Sequence, residues 1–358
     1  MEIRKLNTIR AIAALIVFVG HYSHQAKLLV NIFGNGSPQI GVMLFFILSG
    51  FLMSYLYMNR EFELREVRNF AVARFARVYP LFLLIVVFAY YSHLIGAGTV
   101  YRVDSFSGFV ENLTLLNCPS VLWTVPIEIH FYFFFVLIWW FASKRWLYAM
   151  FLMIAVFYVV TITGYPTFKG SLLIDYHVVF PQFFPFFFAG VIFGQLYRNW
   201  TPRMKSGVFV SALLIVPVLF PGVFGPVFKT YHNMWEGVLC LLCLSFVFFV
   251  ILFFVPDNNP ILANRFGDYL GKISYSMYLL HLPVVNMLKN PARDMPVLFF
   301  FICLALTIGI SAASYHFIEK PSRNAIRGRF LVQRPEKGKQ PCSRKQPSSA
   351  LSAPTPSG

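Results

Sequence analysis

Charge is scarce in this chain, and negative charge is scarcest: 14 Asp and Glu stand among 358 residues, against 30 Lys and Arg. Charged residues are 12% of the sequence, where soluble domains carry about 25%. So little charge excludes an ordinary water-soluble enzyme surface. Cysteine is thin too, at five. Cys240 and Cys243 form a C-x-x-C inside an apolar run with no second ligand pair, which reads as helix packing. Cys118 is the one cysteine in a predicted outer loop, which leaves it no obvious disulfide partner. There is no G-x-S-x-G elbow, no Walker loop and no metal-ligand cluster, so those hydrolytic, nucleotide-cleaving and metal chemistries have no signature here. No internal repeat is visible either, unlike the inverted halves of many secondary transporters.

What is abundant is apolar: 58% hydrophobic residues, 18% aromatic and a mean hydropathy of +0.65. A helix needs about 20 such residues to cross a bilayer, and the chain accommodates about ten crossings. The predicted spans are Ile9–Leu28, Ile40–Tyr57, Tyr79–Ile95, Val125–Ala142, Trp146–Thr163, Val178–Leu196, Val208–Phe228, Trp235–Val255, Ile273–Leu288 and Val297–Ile318. Pro217 and Pro221 interrupt the seventh. With the N-terminus inside, only Lys27, Arg102, Lys169, Lys229, Lys289 and Arg293 of the 30 basic residues fall outside. That asymmetry predicts an all-α, polytopic membrane protein with both termini cytoplasmic, and it accounts for the +16 charge without nucleic acid. No small-x-small cleavage site follows the first apolar run, so that span is expected to be retained. Residues 1–325 read as one transmembrane domain and 326–358 as a basic, Pro- and Ser-rich cytoplasmic tail of disordered composition.

Ionisable side chains inside such spans are expensive and therefore candidates for function. Arg10 and His21 lie eleven positions apart, which returns them to nearly one helix face about 16 Å apart. His24 follows His21 by three. Arg74 and Arg77, at i and i+3 in ARFARVYP, can grip a phosphate or carboxylate together, although membrane anchoring explains them as well. In WTVPIEIHFYFFF, Glu128 enters the membrane five residues after Trp123 and needs a partner, for which His21 is the candidate. A His–carboxylate pair is general-base hardware. Ser274, Tyr278 and His281 recur at near-helical spacing in GKISYSMYLLHLPV, as a polar seam or as pocket residues. Glu319 and Lys320, in SYHFIEKP, read as a structural cap or ion pair. The outer loop 96–122 offers Tyr101, Arg102, Asp104 and Asn112 to an acceptor.

LNTIRAIAALIVFVGHYS, GVMLFFILSGFL, ARFARVYP, LWTVPIEIHFYFF, GKISYSMYLLHLPV and ASYHFIEKP, in that order, resemble the successive motifs of the acyltransferase family 3 membrane proteins. The resemblance covers Leu6 to Pro321. It implies a ten-helix enzyme of the cytoplasmic (inner) membrane that transfers an acyl group, commonly acetyl, from acyl-CoA to a hydroxyl of a surface or lipid-linked glycan. No permanently bound cofactor or metal is implied. The first-helix histidine maps to His21, the Arg-x-x-Arg pair of donor handling to Arg74 and Arg77, the first-helix arginine to Arg10 and the W-[ST]-x-x-x-E acid to Glu128. Asn7, Ala11 and Met43 depart from the common aspartate, glycine and acid. His21 then serves either as general base or as an acyl-carrying nucleophile. The rival reading is a transporter or flippase of a glycan precursor.

Overall fold

The computed structural model describes residues 3–34, 36–97, 103–145, 183–198 and 238–332, together with positions 101, 152, 200 and 235. Among the described residues there are helices, short connections and no strand. In hydrocarbon a segment must satisfy its own backbone groups, and a long apolar run does so as a helix. The first helices are α1 (Arg4–Ala26), the single turn α2 (Val30–Phe33), α3 (Ser37–Tyr57), α4 (Leu64–Leu94) and α5 (Phe106–Leu113). A 3-10 turn at Ser120–Trp123 leads into α6 (Thr124–Ser143). Then come α7 (Phe184–Tyr197), α8 (Val238–Phe254), α9 (Arg265–Met287), α10 (Lys289–Asp294) and α11 (Pro296–Ser314). A π-helical turn, Tyr315–Glu319, joins α11 to α12 (Lys320–Phe330).

Among the described residues, five stretches are long and apolar enough to cross a membrane: Arg4–Ala26, Val30–Tyr57, Leu64–Leu94, Ser120–Ser143 and Pro296–Phe330. Two shorter apolar helices, α7 and α8, accompany them. These are the lengths and compositions of a helical membrane protein. The helix α9 is long but less apolar, because it carries Ser274, Ser276 and His281, all three of them buried in the interior. The predicted fifth span, apart from Leu152, and the whole predicted seventh lie outside the described residues, as does the start of the sixth.

Two close helix contacts organise the bundle. On one side α1 packs against α9, and a Cβ added at Gly271 would collide with the backbone of Asn7. On the other, α3 packs against α7, where a Cβ at Gly190 would run into the carbonyl of Ile47. Without a hydrophobic force between helices in lipid, such small-residue contacts let backbones approach and gain dispersion energy. The α1–α3 contact joins the two pairs. Lys5 is fully buried and ties the start of α1 to the end of α8. Its Nζ donates to the carbonyls of Leu252 (2.7 Å) and Val255 (2.8 Å) and pairs with Asp257 at 2.9 Å. A cation there answers the unpaired carbonyls of a helix C-terminus.

At 31 residues α4 is about 46 Å long, well beyond a hydrocarbon core of about 30 Å, so one end projects. The projecting end receives α12, and Asn69 pairs with Val332 through both its amide groups, at 3.1 and 2.9 Å. The helix runs on to Phe330, so the domain boundary expected at 325 falls inside an element that is docked on α4. The described cysteines are free, and Cys118 is buried. Burial pushes its thiol up to about 12, which makes it a packing residue.

Gly271→Leu is expected to wedge α1 from α9 at a cost of about 1–3 kcal/mol. The readout is the midpoint of thermal unfolding in detergent. Gly309→Leu on α11, where an added Cβ has nothing within 4 Å, is the matched control and leaves the midpoint in place.

Candidate active site

A cavity of about 690 Å³ of empty space, its open mouth included, lies among α1, α3, α4, α6 and α9. Its polar lining is Arg10 from α1, Ser49 from α3, Arg74 and Arg77 from α4, Thr124 and Glu128 from α6, and Ser274 and Tyr278 from α9. Phe45, Phe46, Leu48 and Leu52 form an apolar wall. The i, i+3 spacing in α4 puts both guanidiniums of Arg74 and Arg77 on the face that meets the cavity. Arg74 is buried, with its guanidinium over the rings of Tyr57 (5.6 Å) and Phe70 (5.8 Å), and its Nε has no hydrogen-bond partner. A buried donor without an acceptor is costly, and an anion in the cavity would satisfy it. Three guanidiniums thus face one carboxylate, the arrangement of a polyanion site in a low-dielectric surrounding.

The carboxylate of Glu128 is held by two hydroxyls on one oxygen. The Tyr132 phenol donates to Oε1 at 2.6 Å and the Ser49 hydroxyl donates to the same atom at 3.0 Å. The expected bond from Glu128 to His21 is therefore absent, for a topological reason. The helix α6 packs on α3 and α4, whereas α1 packs on α9 and α3. Depth differs as well. Gly20, beside His21, lies against Ser37 and Pro38 at the start of α3, and Ser49 is twelve residues further along that helix, about 18 Å. Glu128 accordingly sits at the level of Arg10 and not of His21.

His21 finds another imidazole instead. Its Nδ1 is 3.0 Å from Nε2 of His281 and 3.0 Å from the carbonyl oxygen of Val17, and the two rings are 5.0 Å apart. His281 is fully buried, and its Nδ1 lies 2.7 Å from the Tyr278 carbonyl and 3.2 Å from that of Met277. Neither histidine lines the cavity. Tyr278 connects the two regions: its ring faces the cavity, packs 6.1 Å from His281, and its hydroxyl donates to Val121.

The other predicted pocket residues divide. Ser274 lines the cavity, but its hydroxyl donates to the Gly271 carbonyl at 2.8 Å. His24 is exposed at the far end of α1, outside the cavity. Trp123 is also outside it, packed among Phe183, Phe46 and Trp235. Glu319 is buried and accepts from Ser276 at 3.0 Å while Lys320 is exposed, so the expected Glu319–Lys320 pair is replaced by an interior bond that the π turn aims inward. In the loop, Tyr101 is buried with its hydroxyl donated to the Leu279 carbonyl, and Asn112 is buried on Gly108. Both are structural and not open to an acceptor; Asp104 is exposed, and Arg102 lies outside the described residues. Sequence reasoning missed Ser49 and Tyr132. The phenol one helical turn after Glu128 was the available signal.

A family model described as "Acyltransferase domain" matches residues 3–316. "Putative O-acetyltransferase SACOL0978" of Staphylococcus aureus (strain COL) is 25% identical over 357 residues, covering 89% of this chain and 57% of the relative. "Putative acetyltransferase ORF330" of Acidianus two-tailed virus is 26% identical over 297 residues, covering 79% of this chain and 84% of that protein. The chain thus spans little more than half the length of its staphylococcal relative. No solved structure matches it. With the family model spanning α1 to the start of the π turn, this chain belongs to the acyltransferase family 3.

Proposed function

We propose that the protein is a membrane O-acyltransferase that moves an acetyl group from cytoplasmic acetyl-CoA to a hydroxyl of a surface or lipid-linked glycan such as exopolysaccharide, capsule or O-antigen. The observation that carries this reading is the cavity with three guanidiniums and an unsatisfied Arg74 Nε at one end of α1, on a helix whose other end bears His21. The naming of the relatives as acetyltransferases supports the reaction class.

On this reading Arg10, Arg74 and Arg77 hold the phosphates of the donor at the cytoplasmic face, the side favoured by the bias of basic residues. The apolar wall of Phe45, Phe46, Leu48 and Leu52 lines the way for the uncharged arm. Glu128, whose Oε2 has no hydrogen-bond partner among the described residues, accepts from an amide or hydroxyl of that arm. His21 takes the proton of the acceptor hydroxyl as the oxygen attacks the thioester carbonyl. The tetrahedral intermediate expels the thiolate, which receives the proton back from the imidazolium. The membrane is the cytoplasmic (inner) one, where a cytoplasmic donor and an external acceptor meet. A flippase would need the charges but not the base, and it would leave no ester behind.

Two outcomes are expected. His21→Ala, at wild-type membrane level, lowers acetyl transfer by about 10²–10⁴-fold. Mass spectrometry of surface glycans then lacks the acetyl increment that the wild type restores to a deletion strain. Normal acetylation by the variant would remove His21 from the mechanism, and no increment with the wild type would remove the glycan. Arg77→Gln raises the KM for acetyl-CoA tenfold or more with little change in kcat, as loss of a charged hydrogen bond predicts. An unchanged KM would end the phosphate-holding role.

A further inference from the structure

We propose that His281 is a positioning residue that locks His21 in the Nδ1–H tautomer, leaving Nε2 as the reactive nitrogen. The argument is one of donors and acceptors, assigned from heavy-atom geometry. His281 Nδ1 faces two carbonyl oxygens, Tyr278 at 2.7 Å and Met277 at 3.2 Å. Carbonyls only accept, so that nitrogen carries a proton. In a neutral imidazole the other nitrogen, Nε2, then has the lone pair. It points at His21 Nδ1 from 3.0 Å. His21 Nδ1 therefore faces two acceptors, this lone pair and the Val17 carbonyl at 3.0 Å, and must itself bear the proton. The lone pair of neutral His21 is left on Nε2, which has no protein partner among the described residues.

The chain Tyr278 carbonyl, His281, His21 has the logic of a hydrolase triad with the carboxylate replaced by a neutral imidazole whose own tautomer is set by backbone. When His21 takes a proton on Nε2, its Nδ1–H becomes a stronger donor, and the bond to His281 strengthens as charge develops. Stabilisation realised only then accelerates the chemical step. A neutral acceptor is the suitable partner here, since His281 is fully buried and a carboxylate without a countercharge is costly to bury. His281 is fully buried and touches no part of the cavity, so it acts through His21 and not on the substrate.

This inference rests on the reading of His21 as the base, and the experiment separates the two. Full-length protein labelled with 15N-histidine is placed in lipid bilayers, and His21 is assigned by difference from His21→Ala. In the wild type, the His21 pair of shifts is expected to show a protonated Nδ1 and a bare Nε2. His281→Phe, which keeps the ring but lacks the acceptor, releases His21 to a tautomer mixture and lowers kcat about 10- to 100-fold with donor KM unchanged. His281→Gln, which restores an acceptor near the Nε2 position, recovers most of the rate. A wild-type His21 protonated at Nε2, or a His281→Phe enzyme with wild-type kcat, overturns the inference while His21→Ala remains inactive. If His21→Ala itself transfers acetyl normally, the reading of the base fails first. Should His281→Phe not accumulate in the membrane, the wild-type spectrum and the His281→Gln rate decide alone.

Discussion

The in-register, parallel contact of α1 with α9 sets the spacing between the cavity and the imidazole pair. Asn7 donates to Asp268 at 2.8 Å near one end, and His21 meets His281 at 3.0 Å near the other. These two bonds are 14 residues apart on α1 (7 to 21) and 13 apart on α9 (268 to 281), so the helices run side by side over about 20 Å. That is possible because Gly271 lets the backbones touch at Asn7. A side chain there would separate the helices and, with them, the two imidazoles. Ser274 and Tyr278 reach the cavity from α9, and Arg10 reaches it from α1. A single interface therefore sets Arg10, Ser274 and Tyr278 at the cavity and the imidazole pair beyond it, while α4 and α6 bring Arg74, Arg77 and Glu128.

The polar groups are sorted by what the membrane permits. At the level of Arg10 the cavity gathers guanidiniums around one carboxylate, and the carboxylate is satisfied by neutral hydroxyls of Ser49 and Tyr132. This leaves the cations uncancelled and available to an anion from outside the chain. Fourteen residues along α1 from Asn7 the ionisable pair is neutral-capable, two imidazoles that satisfy one another and three backbone carbonyls. Formal charge gathers around the cavity, and the polar pair toward the other end of α1 needs none to be stable. The buried Lys5 follows the same rule, its charge spent on helix-end carbonyls and Asp257.

The helices and the arginines were legible in the sequence because both follow helical periodicity. Apolar runs of crossing length mark most of the elements, and Arg74 and Arg77 at i, i+3 necessarily share a face. Sequence spacing puts Glu128 five residues past Trp123, at the shallow start of a span, and so beside His21. The 3-10 turn at Ser120–Trp123 is instead inserted into the bundle, with Val121 and Leu122 buried and the Tyr278 hydroxyl bonded to the Val121 carbonyl. Hydropathy sees the same residues whether an entry is shallow or deep. The His21–His281 bond joins positions 260 residues apart and is a consequence of helix register, which no local pattern encodes. Adjacency in sequence pairs Glu319 with Lys320, whereas the π turn rotates Glu319 inward to Ser276.

On the proposed reading, the length of α1 between Arg10 and His21 carries a consequence for the donor. Eleven helical residues hold the two side chains about 16 Å apart on nearly one face, and a helix packed on α3 and α9 cannot shorten. A donor bound by its charge at Arg10 and reacting at His21 must keep its anionic and acyl ends that far apart. An acyl phosphate fails this condition, because its charge is on the atom next to the reacting bond. A thioester of a phosphorylated pantetheine arm meets it, with charge at one end, an uncharged flexible arm between, and the carbonyl at the other. The apolar wall and Tyr278, which stands between the cavity and His281, then fall where the arm and not the phosphates would lie. On the proposed reading, donor selectivity comes less from recognising the acyl group than from this fixed separation of charge from chemistry.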